Sequence, residues 1–335
     1  MNAEIPAPKN RSKYLPVFLA IIVVLVAGYG FFGDYIQQQK TLHEIDSAWW
    51  QASALRDEGN YDHALQVYNS VFGMISSNEF PLEYGMNNYY RGRTYDEMAL
   101  TDTANASSNL KNSIYAYDSS LKFITKSAYP AEYAMVQYSL GDAYIKLYAF
   151  HDNEENLNNS IGYYIEALDY YSLAVDPVYF ASINNKLGNA LRKKGNAVGD
   201  VGNLQDALSA YDESLRVFRY GTYPMEYAGV QNNLGNLYIE LSRFSDRKSN
   251  INNAIVCFNN ALEVYTLESR PMEFATVQNN LGNAYFVMSE IENKESNVEM
   301  AVDAYHEALN VFTLNLFPVE HEGVIYNIAR AYKSI

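Results

Sequence analysis

Val277-Gln-Asn-Asn-Leu-Gly-Asn-Ala-Tyr285 decides the fold, because the chain repeats it. Val230-Gln-Asn-Asn-Leu-Gly-Asn-Leu-Tyr238 is almost the same, and Ile183 to Leu191 and Val136 to Tyr144 are looser copies. Their glycines, Gly141, Gly188, Gly235 and Gly282, stand 47 residues apart, with Gly92 a further 49 upstream. An aromatic keeps the same step through Tyr68, Tyr117, Tyr164, Tyr211, Phe258 and Tyr305, as does a proline through Pro81, Pro130, Pro177, Pro224, Pro271 and Pro318. A fixed period of this length signals stacked units that bury a shared core, none of them stable alone.

Each period reads as two helices. The prolines suit the first helical position, where the missing N–H would be unpaired anyway. Glu83, Glu132, Glu226, Glu273 and Glu320 follow two residues later and face the positive end of the helix dipole. Pro177 lacks that glutamate, and Asp176 stands before it as a substitute. A mid-helix glycine costs about 1 kcal/mol relative to alanine, so its recurrence predicts a neighbouring helix backbone close by. Asn-rich stretches at 151–156, 195–203, 246–250 and 292–297 read as turns between the paired helices. The second helix then places Ala207, Tyr211 and Ser214, or Ala254, Phe258 and Ala261, or Ala301, Tyr305 and Ala308, on one face. Residues 319–334 form a single closing helix, so the expectation is an all-α chain of about six antiparallel helix pairs plus a C-terminal cap.

Leu-Gly-x-x-Tyr on the first helix, Ala-x-x-x-aromatic on the second and a proline after it resemble the tetratricopeptide repeat (TPR) family. The period of 47 departs from the family's usual 34, with the added residues expected in the turn between the helices and before each proline. The resemblance runs from Ser47 to the end. It implies a right-handed superhelical α-solenoid whose first helices line a concave groove, where asparagines hold an extended peptide. The matching positions are Asn185, Asn189, Asn232, Asn236, Asn279 and Asn283, with a basic patch at Arg192, Lys193 and Lys194. Two readings of these asparagines stand: they bind a ligand strand, since an amide both donates and accepts, or they brace adjacent repeats. The family's cationic clamp for a terminal carboxylate is not reproduced, because its positions carry Tyr138, Asp142 and Glu240.

Residues 14–32 are almost wholly apolar and uncharged, long enough for a helix across the roughly 30 Å hydrocarbon layer. Lys9, Arg11 and Lys13 precede them, and no cation follows until Lys40. That bias places a basic N-terminus at 1–13 in the cytoplasm, a transmembrane signal anchor at 14–33, a juxtamembrane linker at 34–46 and the solenoid at 47–335 outside the cell membrane. A cleaved signal peptide is the competing reading, and Val26-Ala27-Gly28 is a poor cleavage site for it. Asn105-Ala-Ser107 and Asn158-Asn-Ser160 are glycan acceptor tripeptides in the exported part.

The 335-residue chain carries a net charge of −15, 31 tyrosines and one cysteine. An acidic chain does not track a phosphate backbone, so nucleic acid is not an expected partner. Cys257 reads as a buried apolar side chain, and the 31 tyrosines as repeat amplification. None of the five histidines pairs with another at metal-ligand spacing, and no catalytic motif is present. The expectation is a non-enzymatic, cofactor-free scaffold for a protein or peptide, with self-association as the alternative.

Overall fold

The computed structural model describes residues 29–151 and 153–335. Among them are thirteen helices: α1 (Tyr29–Asp57), α2 (Tyr61–Val71), α3 (Pro81–Thr101), α4 (Ala106–Leu121), α5 (Pro130–His151), α6 (Glu154–Leu168), α7 (Pro177–Val198), α8 (Val201–Leu215), α9 (Pro224–Leu241), α10 (Arg247–Leu262), α11 (Pro271–Ser289), α12 (Lys294–Leu309) and α13 (Pro318–Lys333). They form six hairpins from α1·α2 to α11·α12, closed by α13. Successive first helices approach one another, as α3 does α5 and α9 does α11, while successive second helices share no comparable contact. The first helices therefore make the inner layer of the array and the second helices the outer one.

The expected prolines open every first helix from α3 to α13. Asp176 caps α7, its carboxylate accepting from the N–H of Val178 at 3.1 Å and of Tyr179 at 3.0 Å. Two orphan donors are thus satisfied where the glutamate is missing.

The turns inside the hairpins are shorter than the Asn-rich stretches suggested. Residues 195–198 belong to α7 and 247–250 to α10. The asparagines there serve helix starts: Asn250 Nδ2 donates to the Ser245 carbonyl at 2.8 Å, and Asn297 Nδ2 to the Glu292 carbonyl at 2.7 Å. Each follows a left-handed residue, Asp246 with φ 46° and Asn293 with φ 47°, a conformation Asp and Asn tolerate better than other side chains.

The recurring glycines serve a different purpose from the one expected. No foreign helix backbone is their nearest neighbour, although the Ala301 carbonyl would lie 3.0 Å from a Cβ at Gly282. The aromatic ring of the paired second helix lies on each: a Cβ at Gly141 would meet the Tyr164 ring at 2.6 Å, one at Gly188 the Tyr211 ring at 2.7 Å, and one at Gly282 the Tyr305 ring at 2.5 Å. Gly235 and Phe258 make the same contact. Every one of these rings is fully buried, so glycine and ring form one slot that sets the hairpin spacing.

The anchor placed at 14–33 lies mostly outside the described residues; its last residues, from Tyr29, begin α1. No helix among the described residues is long and apolar enough to cross a membrane. Residues 34–46, assigned to a linker, run within α1, and Ile45 is already buried against Val71 and Phe80. Packing therefore begins before Ser47, because α1 must be long enough to cover α2 and reach α3.

Candidate functional site

The residue after each slot glycine stands on the inner layer, beneath the hydroxyl of the ring. Asp142 Oδ1 accepts from the Tyr164 hydroxyl at 2.6 Å, Asn189 Oδ1 from Tyr211 at 2.7 Å, and Asn283 Oδ1 from Tyr305 at 2.9 Å. Burial raises the pKa of these phenols, that of Tyr305 to about 12, so they remain proton donors. In the fifth hairpin, α9·α10, the ring is Phe258 and offers no hydroxyl. Asn236 turns back there, its Nδ2 donating to the Asn232 carbonyl at 3.1 Å.

One turn earlier a second row links repeat to repeat. Asn185 Oδ1 accepts from Asn233 Nδ2 at 3.0 Å, Asn232 Oδ1 from Asn280 at 3.0 Å, and Asn279 Oδ1 from Asn327 at 3.1 Å. The same register holds Lys186 over the Tyr138 ring at 5.1 Å. The six predicted asparagines are therefore brought onto one layer, and five of them, all but Asn236, use their carbonyl oxygen inside the fold. Their Nδ2 groups make no hydrogen bond to another group of the chain among the described residues, and all six side chains are half-buried.

Of the three cations of the expected basic patch, Arg192 is held inside the fold, while Lys193 is exposed and Lys194 half-buried. Arg192 is paired with Glu240 of the next repeat at 2.5 Å, both side chains less than one-fifth exposed at 18% and 13%. Lys193 is exposed and adds only to the field on Glu240. Sequence reasoning missed three further cross-links between first helices: Arg56 with Glu97 at 3.2 Å, Lys146 with Asp96 at 2.6 Å, and Lys186 with Asp142 at 2.7 Å. Their signal was available. Asp96 and Arg192 hold equivalent repeat positions, as do Lys146 and Glu240, so the same geometric pair appears once in each polarity. Asp142 thus serves both Lys186 and Tyr164.

Among the described residues no group of three or more His, Cys, Asp or Glu is placed to hold a metal. Cys257 is buried, and burial pushes its thiol up to about 12, which removes the thiolate needed for reactivity.

No family model and no curated protein matches the chain. Solved structures do. BtubC from P. vanneervenii superposes with a TM-score of 0.47 at 18% identity, covering 79% of this chain and 92% of that one. The C-terminal part of a TPR repeat-containing protein from Cytophaga hutchinsonii gives 0.47 at 13% identity, covering 89% and 98%. The TPR2AB domain of yeast Sti1, in complex with pHSP90, gives 0.30 at 16%, covering 87% and 99%. At these identities the resemblance concerns fold alone.

Proposed function

We propose that this chain is a membrane-tethered TPR-type scaffold that binds an extended protein segment along its inner layer and carries out no reaction of its own. The observation that carries this reading is the row of half-buried amides at Asn185, Asn189, Asn232, Asn279 and Asn283. The fold consumes their acceptor oxygens and leaves their donors. Fixed N–H donors at a regular step match the carbonyl oxygens of an extended backbone, and rigid presentation lowers the ordering cost of binding. Asn236 alone reverses the pattern and offers an acceptor. The apolar run at 14–33, with the cations before it, supplies the tether and points the solenoid away from the cytoplasm.

A photo-crosslinking residue placed at Asn236 of the full chain in native membranes should capture a discrete protein partner. The same residue at Val256 on the outer layer should not. Equal capture at both sites, or none at either, would sink the groove reading. Protease added to intact cells should remove α7–α13; protection until lysis would reverse the topology.

A further inference from the structure

The face of α13 that corresponds to the hairpin-forming face of α11 is bare and chemically different. In earlier first helices the position equivalent to Glu322 is a buried alanine: Ala134, Ala181, Ala228 and Ala275 are each at most 1% exposed. The position equivalent to the slot glycine is Ala329, and a Cβ there is what the rings of the other repeats exclude, as at Gly282, where it would meet Tyr305 at 2.5 Å. A second helix of the repeat type does not fit α13. Glu322 would bury an unpaired carboxylate, and Ala329 would strike the incoming ring. Yet the helix exposes Val319 at 77%, Tyr326 at 67%, Tyr332 at 55% and Ile325 at 44%. Large exposed apolar side chains grouped on one element mark a contact surface.

We propose that this surface is a two-fold interface in which α13 packs antiparallel against α13 of a second copy of the chain. Glu322, Tyr326, Ala329 and Lys333 follow the i, i+4, i+7, i+11 spacing that keeps side chains on one helical seam. Antiparallel pairing about the middle of this seam sets Tyr326 on the partner's Ala329, large against small, and Glu322 on the partner's Lys333, opposite charges, each contact occurring twice by symmetry. Parallel pairing would oppose tyrosine with tyrosine and glutamate with glutamate. Glu320 in the first turn and Lys333 in the last extend the complementarity. Neither Glu322 nor Lys333 has a salt bridge within the chain among the described residues, whereas Arg330 is held in its own protomer, 4.3 Å over the Phe286 ring. Val319, Ile325 and Tyr332 flank the seam. A single helix pair of this size is a modest interface, so the expected association is in the micromolar range rather than obligate.

The test uses the full chain in lipid nanodiscs or detergent. Ala329→Cys should form a disulfide-linked dimer under mild oxidation, since the native Cys257 is buried, and Trp50→Cys on exposed α1 should not. In light scattering, Glu322→Lys or Lys333→Glu alone should weaken dimerisation at least tenfold, because each sets like charges together twice. The double reversal Glu322→Lys/Lys333→Glu should restore it. All these positions are exposed, so melting temperature should stay within a degree or two and serves as the folding control. The proposal is overturned by a monomer across the micromolar range, by cross-linking at position 50 rather than 329, or by failure of the double reversal to rescue.

Discussion

The inner layer is stitched in two ways. From α1 to α9 successive first helices are joined by ions: Arg56 to Glu97, Asp96 to Lys146, Asp142 to Lys186 and Arg192 to Glu240. From α9 to α13 they are joined by neutral amides, Asn232 to Asn280 and Asn279 to Asn327. Asn185 to Asn233 accompanies the last ion pair, so the change occurs at the α7·α9 junction. Helix hairpins continue on both sides of that junction. Adjacent repeats therefore require a polar cross-link at this layer but not a particular chemistry. Neutral amides carry little desolvation cost and keep spare donors, whereas a partly buried ion pair is strong only while both partners remain. Spare amide donors thus lie from α7 onward, and the ion pairs between first helices from α1 to α9.

The largest effect should come from breaking the most buried ion pair on one side. Glu240→Ala leaves Arg192 stranded and should cost about 3 kcal/mol in urea unfolding. Arg192→Leu/Glu240→Leu together should return to within about 1 kcal/mol of the parent, because the desolvation penalty leaves with the charges. A double variant as damaged as the single would mean that the pair is needed for more than packing. On the other side, Asn232→Ala should cost only about 1 kcal/mol, and adding Asn280→Ala should change little more, since one hydrogen bond is lost in both cases. A loss as large as that of Glu240→Ala would erase the distinction between the two halves.

Much of this architecture could be read without coordinates. The prolines, the glycine step and the aromatic step each answer to a single helix position, so a period of 47 exposes them directly. The cross-links escaped because none joins equivalent positions: Asn185 and Asn233, like Arg192 and Glu240, are 48 residues apart, one beyond the period, and Asp142 and Lys186 are 44 apart, three short of it. A search at the repeat period aligns equivalents and hides contacts displaced from it. Asn185 and Asn189 were legible as inner-layer groups, but which end of each amide remained for a ligand was not. That depends on a tyrosine hydroxyl 22 residues away and an amide in the adjacent hairpin. The turns were overestimated because asparagine favours both turns and helix starts, and Asn250 and Asn297 take the second role.

Salt should separate the halves next. Lys146 and Lys186 are 33% and 38% exposed, so their pairs are open to screening. Raising ionic strength should lower amide-exchange protection in α3, α5 and α7 by a few tenths of a kcal/mol and leave α13 unchanged; α11 is no control, because Arg247–Glu290 and Lys248–Glu292 stand exposed at its C-terminal end. A uniform change along the chain would show that the ion pairs do not set local stability.

The smallest effect, and the one with the least obvious sign, is the response to acid. Burial raises the pKa of Asp96, Glu97 and Glu240 above ordinary values of 3.8 for Asp96 and 4.5 for the two glutamates. Lys146, Arg56 and Arg192, respectively, only partly oppose it. Asp142 also faces Asp96 with Lys186 beyond it, while Arg93 and Asp57 face Glu97. Asp118 on α4 and Asp212 on α8 are raised by burial too. A raised native pKa means that the folded chain holds the proton more tightly than the unfolded one. The stability it contributes is therefore complete below the ordinary pKa and is lost as pH climbs through the raised value. Taking the protein from about pH 7 toward the ordinary carboxylate range should strengthen α3–α9 slightly through these five groups, even though ion pairs are being discharged. Asp96→Asn should flatten part of that rise in the urea midpoint. A midpoint that falls over the same interval would mean that attraction to the cations outweighs burial, and that the ionic half is held by its charges more firmly than its packing implies.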